Sequence, residues 1–184
     1  MNAFEQIVAN LLNQEGFWTR IDYKVILTKE QKAKIDKPSM PRPEIDILAY
    51  KPCKNLLLWI ECKSYINSGG VRMSSFININ DPGYNRYKVF NYPVYRDEIT
   101  SALRSQVISN GLCTNGLEIK HCLVAGKIYT TKDRTLLQDY FTLNNWILWD
   151  DEWIKEGLKK YAASDYEDDV AVLVSKLFSG IENK

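Results

Sequence analysis

Within the stretch from Pro43 to Ser64, three residues have the types and spacing for chemistry: Asp46, Glu61 and Lys63. Two apolar runs, Ile45 to Tyr50 and Leu56 to Ile60, flank Lys51-Pro52-Cys53-Lys54-Asn55. Each run has strand length and the proline-containing middle is a turn signal, which predicts a β-hairpin. Side chains alternate faces along a strand. Glu44, Asp46 and Leu48 then share one face of the first strand, and Leu57, Trp59, Glu61 and Lys63 share one face of the second. Ile45, Ile47, Leu58, Ile60 and Cys62 point the other way, into a core. A charge inside an otherwise apolar strand needs a partner or a metal. Two carboxylates brought together repel, and a hard divalent cation relieves that repulsion. Mg²⁺ is commonly held by one or two carboxylates together with waters and phosphate oxygens. Such a cation acidifies water and polarises a phosphoryl oxygen. A neighbouring lysine, whose pKa moves with its surroundings, can orient or deprotonate the attacking water. The residue types therefore suit metal-assisted hydrolysis of a phosphate ester.

An acidic residue on one strand followed by Glu-X-Lys on the next resembles the PD-(D/E)XK nuclease superfamily. Asp46 matches the first acid, and Glu61-Cys62-Lys63 matches the second half. The Glu44-Ile45-Asp46 variant of the first strand looks most like the restriction-endonuclease and Holliday-junction-resolvase branches, which also carry a glutamate on the first helix; Glu5 is placed to match it. The sequence departs from the pattern at the Pro-Asp dipeptide, because Pro43 is followed by Glu44 and the matching acid lies two residues further on. Glu44 and Asp46 share a strand phase, so either can be the principal ligand, and Asp46 is preferred. The resemblance implies a Mg²⁺-dependent DNA endonuclease, with Mn²⁺ able to substitute. It implies that Asp46, Glu61 and the Cys62 backbone carbonyl coordinate the metal, that Lys63 serves the attacking water, and that Glu5 holds a second metal directly or through water. Some branches place a polar residue near the metals on the helix after the hairpin, where Gln106 stands. A catalytically silent DNA-binding or assembly subunit with the same fold is the alternative, although an inactivated copy usually loses the triad that is intact here.

The elements that position these residues read in order. Asn2 to Glu15 is an amphipathic helix ended by Gly16, on which Glu5 also suits the first turn through the helix dipole. Phe17 to Leu27 is a strand rich in β-formers. Residues 28–42 are a charged insertion containing a short helix over Lys29 to Ile35, with Arg42 at its end. Residues 65–96 are a second, irregular insertion punctuated by Ser68-Gly69-Gly70 and Asp81-Pro82-Gly83. Here Arg72, Arg86, Lys88 and Arg96 alternate with Phe76, Tyr84, Tyr87, Phe90, Tyr92 and Tyr95, a pattern suited to phosphate contact and base stacking. The same aromatics equally suit packing on the core or against a twin subunit in a homodimer. Arg42, Arg72, Arg86 and Lys88 are the candidate DNA contacts. Asp97 to Asn110 reads as a helix, Ile119 to Thr130 as a central strand, Asp133 to Thr142 as a helix, and Trp146 to Trp149 as a short strand. Asp150 or Asp151 caps a helix through Tyr161, and a last helix spans Asp165 to Phe178. The order αβββαβ followed by α-β-α-α predicts an α/β fold in which helices flank a mixed central sheet, and this is the element order of a restriction endonuclease-like core. A helical crossover is also what parallel strand pairing requires.

Composition bounds the alternatives. The 184 residues are the length of one ordinary domain, so a single nuclease-like domain over 1–184 is expected. The net charge of +1 rules out a global basic field, so any nucleic-acid contact must come from a local patch. Cysteines 53, 62, 113 and 122 and the single histidine, His121, lack zinc-ligand spacing. No signal segment and no membrane-length apolar run appear, so a cytoplasmic, reducing location without membrane contact is expected.

Overall fold

A computed structural model describes residues 2–163 and Lys176; apart from Lys176, the helix expected at 165–178 lies outside the described residues. The chain runs α1 (Ala3–Gln14), β1 (Trp18–Lys24), α2 (Lys29–Lys34), β2 (Glu44–Lys51) and β3 (Leu56–Lys63). The short helices α3 (Ser74–Ile77) and α4 (Lys88–Asn91) follow, then α5 (Pro93–Ser109), β4 (Glu118–Ala125), α6 (Thr131–Leu143), β5 (Ile147–Trp149) and α7 (Asp151–Ala162). The strands form one sheet in the order β1-β2-β3-β4-β5. The first three strands are an antiparallel meander, while β4 lies parallel to β3 and β5 parallel to β4. The architecture is therefore α/β, a five-stranded mixed sheet flanked by helices. β4 is an interior strand, and β3 is the middle one.

The hairpin turn is one 3-10 turn over Pro52–Lys54, closed by Asn55 in the left-handed region at φ 46°, a conformation asparagine tolerates. Both faces of the sheet are buried. On one side Val8, Leu11 and Leu12 of α1 and Ile154 and Tyr161 of α7 pack on Ile47, Ala49, Leu58, Ile60, Cys122 and Val124. On the other, Ile99, Leu103 and Val107 of α5 and Leu137 and Phe141 of α6 pack on Leu48, Leu57, Trp59 and Leu123. Helices cover both faces, as the expected sheet flanked by helices implies and as β3 and β4, with parallel neighbours, require.

The strict alternation expected along β2 fails at one place, and β1 breaks alternation beside it. In β1, Ile21 packs on the α1 side, whereas Tyr23 joins the α5 side. In β2, Ile47 packs on the α1 side, whereas Ile45 joins the α5 side. The register Ile21–Ile47 and Tyr23–Ile45 sets Asp22 opposite Asp46. Asp22 is in the left-handed region at φ 56°, which turns the chain over between its two neighbours. This kink ends the regular part of β1 near Lys24, short of the Leu27 expected. Val25 and Leu27 nevertheless remain buried, and the Val25 amide still bonds the Pro43 carbonyl at 2.9 Å.

Two further boundaries are corrected. Helix α5 begins at Pro93 rather than Asp97, with the proline in its first turn, where a missing N–H costs nothing. The segment 65–92 is less irregular than expected, since α3 and α4 lie within it. Phe76, Tyr87 and Phe90 are buried. Phe76 and Tyr87 approach to 4.4 Å between ring centroids, and Phe90 lies 4.9 Å from Phe141 and 5.2 Å from Trp146. These three rings are core residues and not a base-stacking surface. Arg96 joins them: its guanidinium reaches the Val89 and Phe90 carbonyls, each at 3.3 Å, and lies over the Trp146 ring at 5.2 Å.

Candidate active site

The β2–β3 ladder is regular as far as Ile47–Ile60. Beyond that pair a side chain takes over the connection: Asp46 Oδ2 accepts a hydrogen bond from the Cys62 amide at 2.7 Å. Two residues on either side of Cys62 in the sequence pattern then meet. Lys63 Nζ donates to Glu61 Oε1 at 2.5 Å, and the two side chains are only 19% and 21% exposed. Alternation thus places Glu61 and Lys63 together, as their i, i+2 spacing predicts. They lie at the C-terminal end of β3, beside the end of its parallel neighbour β4, where open α/β sheets place their ligand sites.

The floor of this end is tightly built. The Gly126 amide donates to the Lys63 carbonyl at 2.8 Å. A Cβ on Gly126 would stand 2.3 Å from the Ser64 carbonyl oxygen and 3.0 Å from the Phe4 ring. Only glycine lets the chain leaving β4 pass so near the residue that follows Lys63.

Electrostatics bind the group together. Burial raises the Asp46 carboxyl above its ordinary pKa, opposed by the Cys62 amide and the Lys63 charge. Burial also raises Glu61; Lys63 opposes the shift and Asp46 adds to it. For Lys63, burial pulls the pKa down, but the charges and hydrogen bond of Glu61 and the charge of Asp46 outweigh it, so the amine is held in its charged form. Glu5 completes the helix capping box, with its carboxylate accepting from the Asn2 amide at 3.3 Å. Burial raises its pKa, and the negative charges of Asp46 and Asp22 raise it further. The first-turn reading of Glu5 is thus what the hydrogen bonding shows, as part of the capping box.

Asp22 is the residue that sequence reading missed. It stands opposite Asp46 in the register, and its charge acts on both Asp46 and Glu5. The available signal was an aspartate between Ile21 and Tyr23 in a strand whose partner also carries an acid. Glu44, by contrast, pairs with Lys24 at 3.6 Å at a solvent-facing position. Of the two acids on β2, Asp46 is the one joined to the Glu-X-Lys strand.

The other candidates fall elsewhere. Gln106 spends its amide on the Ile26 backbone, donating to the carbonyl at 2.9 Å and accepting from the amide at 3.3 Å; it ties α5 to the chain beyond β1. In the first insertion Lys32 donates to the Met40 carbonyl at 2.9 Å and Lys34 pairs with Glu98 at 2.7 Å, so both serve the packing of α2. Arg42, Arg72, Arg86 and Lys88 are all exposed. Arg86 donates to the Tyr65 hydroxyl at 3.4 Å. Burial raises the Cys62 and Cys122 thiols far above their ordinary pKa, as suits inert core cysteines. His121 lies 3.0 Å from the Thr100 hydroxyl and tilts against Trp59.

Among the described residues, no three or more His, Cys, Asp or Glu side chains form a ready-made metal cage. The donor chemistry nevertheless suits a hard cation. Asp46 and Glu61 are half-buried oxygen donors, both facing the charge of Lys63, and Mg²⁺ asks for no more than one or two carboxylates plus water. No helix among the described residues is long and apolar enough to cross a membrane. Comparison with protein-family models, with curated proteins and with solved structures found no match.

Proposed function

We propose that this protein is a metal-dependent DNA endonuclease of the PD-(D/E)XK type, built on a restriction endonuclease-like core. The observation that carries the proposal is the meeting of Asp46 with the Glu61-Cys62-Lys63 strand through the 2.7 Å bond to the Cys62 amide. The element order of helix, antiparallel meander and helical crossover into a parallel fourth strand supports it. Asp46, Glu61 and the Cys62 backbone would hold Mg²⁺ or Mn²⁺, with Glu5 and Asp22 close enough to add charge. Such a cation, when bound, lowers the pKa of its water and offsets charge on phosphoryl oxygens.

The chain's own residues divide the remaining work. Asp46 fixes the end of β3 against β2 through the Cys62 amide. Glu61 aims the Lys63 ammonium. Lys63, held charged by its two acidic neighbours, orients the attacking water or a phosphate oxygen and stabilises the negative charge that builds up there.

The test is incubation with supercoiled, linear, single-stranded and branched DNA in Mg²⁺, Mn²⁺ or EDTA. Cleavage is expected with either metal and none with EDTA. Lys63→Met should keep the fold and lose cleavage by about 10²-fold or more. Failure of the wild type to cut any of these substrates would overturn the reading, and DNA binding without cleavage would leave a silent binding subunit in its place.

A further inference from the structure

The segment that follows Lys63 pairs through Val71 with Ile128, on the chain leaving β4, and leaves a cleft of about 290 Å³, close to the ~300 Å³ lower end of small-ligand sites. Tyr65, Arg72, Arg86 and Tyr87 line it, with Asp81 as its acid. Asp81 is already committed to the loop: it accepts from the Ser74 hydroxyl at 2.6 Å, the Ser75 hydroxyl at 3.0 Å and the Gly83 amide at 2.7 Å. The two guanidinium groups are oriented by aromatic residues. Arg72 lies over the Tyr129 ring at 3.8 Å, and Arg86 bonds the Tyr65 hydroxyl at 3.4 Å. A guanidinium stacked on a ring keeps its in-plane N–H edge for an acceptor, and a fork of this kind suits phosphate.

Two backbone features hold the cleft in place. Gly70 has φ +90°, and a Cβ there would stand 2.9 Å from the backbone at Ile128 and Tyr129. Tyr65 has φ 42°, a costly conformation for a residue with a side chain, of the sort retained at functional sites. Tyr65 follows Lys63 by two residues in the chain. The lining of the cleft therefore begins two residues past the Glu61–Lys63 end of β3.

Resting on the nuclease reading above, we propose that this cleft binds one phosphate group of the nucleic-acid strand, next to the phosphodiester presented to Lys63, with Arg72 and Arg86 gripping that single phosphate together. Both arginines are exposed, so their replacement leaves the fold intact, which circular dichroism and Tm verify.

The test is a double-mutant cycle on oligonucleotide affinity in EDTA, read by fluorescence anisotropy over a salt series, with Arg72→Gln, Arg86→Gln and the pair. A shared phosphate predicts that each single variant weakens binding, that the two losses are not additive, and that the pair flattens the slope of log affinity against log salt by about 0.7–0.9, the value for one phosphate contact. Additive losses would mean two separate surface contacts and would overturn the cleft, as would unchanged affinity. A nucleoside monophosphate or inorganic phosphate binding as tightly as the oligonucleotide would overturn the strand assignment in favour of a free-nucleotide site. The nuclease reading is scored separately, by cleavage in Mg²⁺ or Mn²⁺. Coupling without cleavage leaves the cleft standing and removes the nuclease, and cleavage with additive losses does the reverse.

Discussion

At the scale of single residues, His121 offers a cleaner test of buried charge than the site itself. Burial, helped by the Arg96 charge, holds its pKa down at about 4, against an ordinary 6.5. The native state therefore refuses a proton that the unfolded chain accepts. Stability is full above pH 6.5 and falls as the pH drops from 6.5 towards 4. The gap between those values, at ~1.4 kcal/mol per unit, amounts to about 3 kcal/mol. His121→Gln keeps a hydrogen-bonding group near Thr100 and should flatten the stability profile across that window. Urea melts of both proteins between pH 4 and 7 give the comparison, and parallel profiles would show that His121 is not the group responsible.

At the scale of elements, the β3–β4 end is governed by Gly126. Gly126→Ala forces a methyl against the Ser64 carbonyl and the Phe4 ring, so it should cost about 1–3 kcal/mol, the range for overpacking. That corresponds to a Tm lower by roughly 2–4 °C for each kcal/mol in a chain of this size. Because Ser64 follows Lys63, DNA cleavage should fall as well, in a variant that still folds; an unchanged Tm would show that the chain has room to spare there. The sequence made the hairpin legible, because its two runs share a period and a proline-containing turn lies between them. The Glu61–Lys63 meeting was legible from i, i+2 spacing; the cap of α7 was legible only as Asp150 or Asp151, and Asp150 takes it. The kink at Asp22 was not. Aspartate is one of the few residues with a side chain that enters the left-handed region readily, and no glycine or proline announces it. The aromatic run over 76–92 misled for a related reason. Its spacing fits exposed rings between cations as well as buried ones, and only the Phe141 and Trp146 rings across the fold decide between them.

At the scale of the molecule, a cation held at the sheet end should stabilise the whole fold by mass action, by about 2.7 kcal/mol at a free concentration 100 times Kd. The wild-type Tm should therefore climb with Mn²⁺. Asp46→Ala should climb little, and Asp22→Asn, which keeps a residue tolerant of positive φ, should fall between them. Equal rises in all three, read by differential scanning fluorimetry, would remove both aspartates from the cation's surroundings. The order of strands has a consequence for how the chain is made. The hairpin carrying Asp46, Glu61 and Lys63 can pair locally, but β3 meets its other neighbour only after the long crossover from Ser64 to Leu117 has been synthesised and closed. Non-local parallel pairing of this kind forms slowly. Until then Leu56-Leu57-Leu58-Trp59-Ile60 is a bare apolar edge, the kind that recruits other chains. A nascent chain halted after α5 should aggregate where the longer chain stays dispersed, so the strand that carries the chemistry is also the one most exposed to misassembly during synthesis.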